Sequence, residues 1–81
     1  LRYFEIEVGG YSSLERHQHS HVIIGARGQG EVLLADKNYR LSEDDVIYIQ
    51  PNTAHQLRNV EDQPFGFYCI VDRDRDQPQT I

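Results

Sequence analysis

Short apolar stretches separated by turn residues run along this chain, and no helix-period segment longer than about two turns interrupts them. That pattern leaves few folds open. Tyr3 to Val8 alternates Phe4, Ile6 and Val8 against Tyr3, Glu5 and Glu7, the period of a half-buried strand. Gly9-Gly10 ends it, and Leu14 to His17 reads as a short second strand. Further strands are expected over His21 to Ala26, Glu31 to Ala35, Tyr39 to Leu41, Val46 to Ile49, His55 to Val60 and Phe65 to Val71. Turn residues separate them: Gly28-Gln29-Gly30, a hairpin tip at Asp36-Lys37-Asn38, Ser42 to Asp45, Pro51 to Ala54 and Glu61 to Pro64. Strands this short and this regularly spaced form a sandwich or barrel, so the expected fold class is all-β. Residues 1–72 read as the barrel domain, and 73–81 as a charged, solvated C-terminal extension.

At 81 residues the chain makes one small domain, a size at which metal binding or oligomerisation helps stability. Its 38% hydrophobic content is ordinary for a soluble globular chain. Neither a long apolar run nor a basic-then-apolar leader is visible, so no membrane span or signal peptide is expected here. The first residue is Leu1, so the sequence can be a piece of a longer chain. Thirteen acidic and eight basic residues give a net charge of −5. Phosphate binding needs clustered Lys and Arg, so nucleic acid and anionic membrane are not expected partners. The single cysteine, Cys69, has no internal disulfide partner, which favours a reducing, cytoplasmic setting. Cys69 sits in an apolar run and reads as core filler.

Three of the four histidines fall within Glu15-Arg16-His17-Gln18-His19-Ser20-His21, and the fourth is His55. Imidazoles together with a carboxylate suit a divalent transition metal: zinc, iron, manganese, nickel or copper. A straight strand cannot gather Glu15 and His21 on one ion, because six residues at about 3.3 Å each span roughly 20 Å. A reversal at Gln18-His19-Ser20 is therefore expected, with Glu15 and His17 ending one strand and His21 beginning its neighbour, folded back beside them. His55 starts a strand after a second turn and can close the set from the opposite side. The candidate metal ligands are Glu15, His17, His21 and His55; His19 falls in the turn, either as an exposed loop residue or completing the set in place of Glu15.

These residues resemble the two motifs of the cupins. In the first, Gly9 leads, Glu15 takes the first His slot, His17 the second, His21 the Glu slot, and Gly28 closes, with no gap in the spacing. The second runs from Asp44 through Gln50 and Asn52 to His55 and Asn59, again without a gap. The resemblance implies a cupin-type double-stranded β-helix, a small jelly-roll barrel. Relative to the commonest pattern, Glu15 and His21 have exchanged types, yet three His and one Glu remain. Some small single-domain cupins are similar in carrying His at the His21 slot. Asp44 and Asn52 stand where glycines are usual, and both types tolerate a left-handed backbone. Gln50 replaces a proline, and Pro51 follows at once. A carboxylate at Glu15 can bind metal or hydrogen-bond a ligand histidine from behind.

Other features have plain explanations. Gly28-Gln29-Gly30 lacks the third glycine and following helix of a nucleotide loop. Tyr48, Gln50, Phe67 and Cys69 fit either the barrel mouth or the core. Ser12 and Ser13 lack the acid and base of a catalytic triad.

A three-His-one-Glu site leaves one or two coordination positions open. Iron or manganese there supports oxygenase chemistry, and zinc supports carbonyl polarisation or isomerisation. What the resemblance implies spans dioxygenases, isomerases, decarboxylases, storage proteins and sensors, so the motifs do not name a reaction. The expected function is a metal-dependent small-molecule enzyme of oxygenase or isomerase type; the alternative is a non-enzymatic module that senses or binds a metal or small ligand. The Tyr3–Val8 strand is an open, apolar edge, and a homodimer is expected.

Overall fold

The computed structural model describes residues 1–16, 18 and 20–71, and the backbone of residues 79 and 80. The alternating pattern resolves into β1 (Arg2–Ile6), β2 (Glu15–Arg16), β3 (His21–Arg27), β4 (Gly30–Leu34), β5 (Lys37–Leu41), β6 (Val46–Ile49), β7 (His55–Arg58), β8 (Phe65–Ile70) and β9 (Gln79–Thr80). They form two antiparallel sheets, ordered β1-β8-β3-β6 and β5-β4-β7-β2-β9. No helix occurs among the described residues. The fold is the all-β cupin barrel that the motifs imply.

The strand period decides what lies between the sheets. Phe65, Phe67 and Cys69 alternate inward along β8, and Ile23 and Ile49 join them from β3 and β6. Val32, Leu41 and Leu57 answer from the second sheet, and these eight side chains are the buried apolar core among the described residues. Fully burying a side chain of this kind contributes about 1.5–3 kcal/mol.

Backbone conformation explains several motif positions. Asp44 and Asn52 have φ of 69° and 62°, so each occupies the left-handed region where its motif slot usually carries glycine. Gly28 closes the first motif at φ +63°, and a Cβ there would stand 2.4 Å from the Pro64 carbonyl oxygen. Gly25 is needed for space. Its N–H donates to the Asp45 carbonyl (2.9 Å) and its carbonyl accepts from the Asp44 N–H (2.8 Å), so a Cβ would strike the Ser42 carbonyl oxygen at 2.0 Å. Asn59 ends the second motif as a buried clamp. Its Nδ2 donates to the Ile6 and Gln63 carbonyls at 2.9 and 2.8 Å, and its Oδ1 accepts from the Glu61 N–H at 3.0 Å. One amide thereby ties the end of β1 to the β7–β8 connection.

Three details differ from the sequence reading. The tip of the β4–β5 hairpin is Ala35-Asp36, not Asp36 to Asn38, because Leu34 pairs with Lys37 and Leu33 with Asn38. Strands β2 and β3 are not neighbours folded back on each other. Strand β2 pairs with β7 and β9, whereas β3 pairs with β8 and β6, so the chain crosses from one sheet to the other between them. Within the C-terminal extension, Gln79 and Thr80 pair with Arg16 and Glu15 as β9. Two residues carry no periodicity, so this last strand leaves no pattern in the sequence.

Candidate metal centre

His21 opens β3 and has the same parity as Ile23, two residues on and buried in the core. His55 opens β7 in the other sheet and is only 4% exposed. Their rings approach across the barrel interior, with centroids 5.2 Å apart and planes inclined by 65°. Thirty-four positions of sequence thus close to a ring contact, because each histidine begins a strand on opposite sheets at one end of the barrel.

One hydrogen bond fixes the tautomer of His55. Its Nδ1 lies 2.9 Å from the Thr53 carbonyl oxygen. A carbonyl only accepts, so Nδ1 carries the proton, and in the neutral ring Nε2 holds the lone pair. This is the arrangement that orients a metal-binding imidazole. His21 Nδ1 lies 3.4 Å from Cys69 Sγ. Cys69 is therefore more than the core filler expected from its apolar surroundings: it is buried in the core and touches a candidate ligand as well.

Glu15 is the register partner of His55 across the β2–β7 ladder, which puts both side chains on one face of the sheet. Its carboxylate accepts a hydrogen bond from the Ser13 hydroxyl. His17 and His19 lie outside the described residues. Among the described residues, no group of three or more His, Cys, Asp or Glu side chains is placed to hold a metal ion. The structure therefore brings His21 and His55 together and sets Glu15 beside His55 in the ladder. As a donor set this fits a divalent metal in part: two imidazoles converge, one with its tautomer defined, and a further donor is needed. A surface depression of about 390 Å³ bordered by Gly28, Ser42, Glu61 and Gln63 gathers none of these residues.

Sequence reasoning misses two contributors. Thr53 acts through its backbone carbonyl, for which no side-chain signal exists. The Cys69–His21 contact depends on the β3–β8 register, which sets Cys69 opposite Ile23, diagonally across from His21.

Comparison with known proteins agrees with the fold. A family model described as a cupin domain matches residues 2–71. A cupin 2 domain-containing protein from Halorhodospira halophila has a crystal structure that superposes with a TM-score of 0.92 at 49% identity, over 96% of this chain and 54% of that one. A cupin 2 conserved barrel domain protein from Rhodopseudomonas palustris superposes with a TM-score of 0.93 at 41% identity, over 96% and 54% of the two chains. A Rhodospirillum rubrum protein named 1-methylthio-D-xylulose 5-phosphate methylsulfurylase is 39% identical over 79 residues, 98% of this chain and 51% of its own length. The chain spans about half the length of these relatives. No helix among the described residues is long and apolar enough to cross a membrane.

Proposed function

This chain belongs to the cupin family, and on that premise we propose that it is a metal-dependent enzyme acting on a small carbonyl compound. The observation that carries the proposal is the meeting of His21 and His55 across the barrel, with His55 Nδ1 engaged by the Thr53 carbonyl. His17, His21 and His55 would hold a divalent transition metal (Mn, Fe, Zn, Ni or Cu), with Glu15 as the fourth donor or as a carboxylate that hydrogen-bonds a ligand histidine other than His55, whose one N–H is taken by Thr53. When bound, such an ion supplies Lewis acidity toward a carbonyl or enediolate oxygen, and iron or manganese supports oxygenase chemistry as well.

The chain's own residues supply placement. The Thr53 carbonyl holds the His55 ring in one tautomer. His55 is buried, so little water reaches its ring to compete with the Thr53 carbonyl. Cys69 meets His21 from β8.

The Rhodospirillum rubrum relative bears on the substrate class, because the compound in its name is a phosphorylated keto-sugar. We take 1-methylthio-D-xylulose 5-phosphate as the first compound to assay. The experiment loads the protein with each metal in turn and follows turnover of that compound, other keto-sugars, diketones and flavonols. Turnover that needs metal and is lost in His55→Ala supports the proposal. Tight ligand binding without turnover by any metal form overturns it and identifies a binding module instead.

A further inference from the structure

One layer of the barrel crosses both sheets at the candidate metal centre. On the five-stranded sheet the ladders set Leu34 of β4 opposite His55, and His55 opposite Glu15 of β2. On the four-stranded sheet Ile49 of β6 lies opposite His21. Strand β8 runs along the other edge of β3 and ends at Ile70, the partner of Val22, so the next residue, Val71, stands level with His21. Residues paired across a ladder share a face, with Cβ atoms about 4.5–5.5 Å apart. Each histidine therefore sits between two neighbours: Leu34 and Glu15 flank His55, and Ile49 and Val71 flank His21.

Burial divides this layer. His55 and Ile49 are buried, at 4% and 1% exposure. Leu34, Glu15, His21 and Val71 are half-buried, so the layer is open to solvent beside the two imidazoles. Leu34 and Val71 pack against the core on one side and keep part of their surface free on the other. None of these side chains is a Lys or an Arg. The polar groups of the layer are the imidazoles and the Glu15 carboxylate, and its remaining surface is branched and aliphatic.

We propose that Leu34 and Val71 are the specificity-determining walls of this centre, seating a short, uncharged alkyl substituent next to the ligand's oxygen donors. This rests on the metal reading above, and it adds the class of compound: a carbonyl ligand whose carbonyl carbon carries a small apolar group. An alkyl group laid on Leu34 and Val71 leaves water for apolar surface, which strengthens binding about fourfold per methylene. An anionic group in the same place loses its hydration, finds no Lys or Arg in the layer to replace it, and meets the Glu15 carboxylate. An ionised end of a ligand therefore points out of the barrel. Valine is stiff at χ1, so the wall beside His21 keeps its shape and sets a size limit.

The test uses alkyl hydroxamates on the zinc-loaded protein, because their oxygens chelate a metal alike throughout a series in which only the alkyl group changes. Calorimetry measures the affinities of acetyl, propionyl and butyryl hydroxamate, and zinc content is measured before and after. The expected result is a gain of about fourfold for each added methylene. Succinyl monohydroxamate, in which a carboxylate replaces the terminal methyl of the butyryl compound, binds at least about tenfold more weakly. Leu34→Ala and, separately, Val71→Ala flatten the alkyl series while zinc content stays that of the wild type. A flat series in the zinc-loaded wild type, a series unchanged in both variants, or succinyl binding as tight as butyryl overturns the assignment of the walls and leaves the metal centre standing. A protein that holds no zinc overturns the metal reading and the walls with it, and zinc content tells the two failures apart.

Discussion

Cys69 Sγ lies 3.4 Å from His21 Nδ1, joining β8 to β3 at the candidate metal centre. With Nδ1 protonated, the ring donates to sulfur and directs Nε2 toward an ion, as the Thr53 carbonyl does for His55. On the proposed metal reading, Cys69→Ala weakens metal affinity by roughly tenfold, the lower end for loss of a group that orients a ligand. Cys69→Ser retains a hydrogen-bonding oxygen and recovers part of the loss. Competition with a chromophoric chelator measures both. Equal affinities for the wild type and Cys69→Ala would show that sulfur has no part in orienting the ring.

Ala35 adopts φ 55° at the tip of the β4–β5 hairpin, held there while its N–H donates to the Ala54 carbonyl at 2.8 Å. A residue with a Cβ is strained in the left-handed region by about 1–2 kcal/mol. Glycine removes that strain and costs about 0.5–1 kcal/mol in unfolded-state entropy. Ala35→Gly is therefore expected to stabilise the protein by about 0.5–1 kcal/mol. Chemical denaturation checks it through a higher midpoint at an unchanged m-value. A lower midpoint would mean that the hairpin tip is not left-handed at Ala35.

The Tyr3 hydroxyl, and then the Arg27 guanidinium, hold the Glu5 carboxyl below the usual carboxylate range. Because the folded form binds its proton less readily than the unfolded chain, stability rises with pH through this interval. The contribution is present above the ordinary value of 4.5 and disappears as pH falls through the depressed folded value. The group is exposed, so the effect is small. Melting curves of wild type and Glu5→Gln should differ by a constant gap above about pH 5 that closes below the ordinary carboxylate pKa. A gap that widens on acidification would contradict the arrangement.

Much of the fold is legible residue by residue. The apolar run Val46 to Ile49 is β6 without change of bounds, and His21 begins β3 where the histidine cluster meets the apolar run. Asp44 and Asn52 are readable as left-handed positions because few residue types tolerate that conformation. Of the candidate ligands, His21 and His55 meet, Glu15 lies opposite His55 in the β2–β7 ladder, and His17 falls outside the described residues.

What the sequence determined by itself is the alternation, and with it which side chains of each strand turn toward a core and which turn away. Only the tertiary structure decided the partners. Strand β2 joins β7 while β3 joins β8 and β6, which puts Glu15 and His21 on facing sheets instead of on the two arms of one hairpin. The reason is physical: a period of two states which face of a strand is apolar, but every strand offers two similar backbone edges. Long-range packing selects between those edges, and local propensity does not.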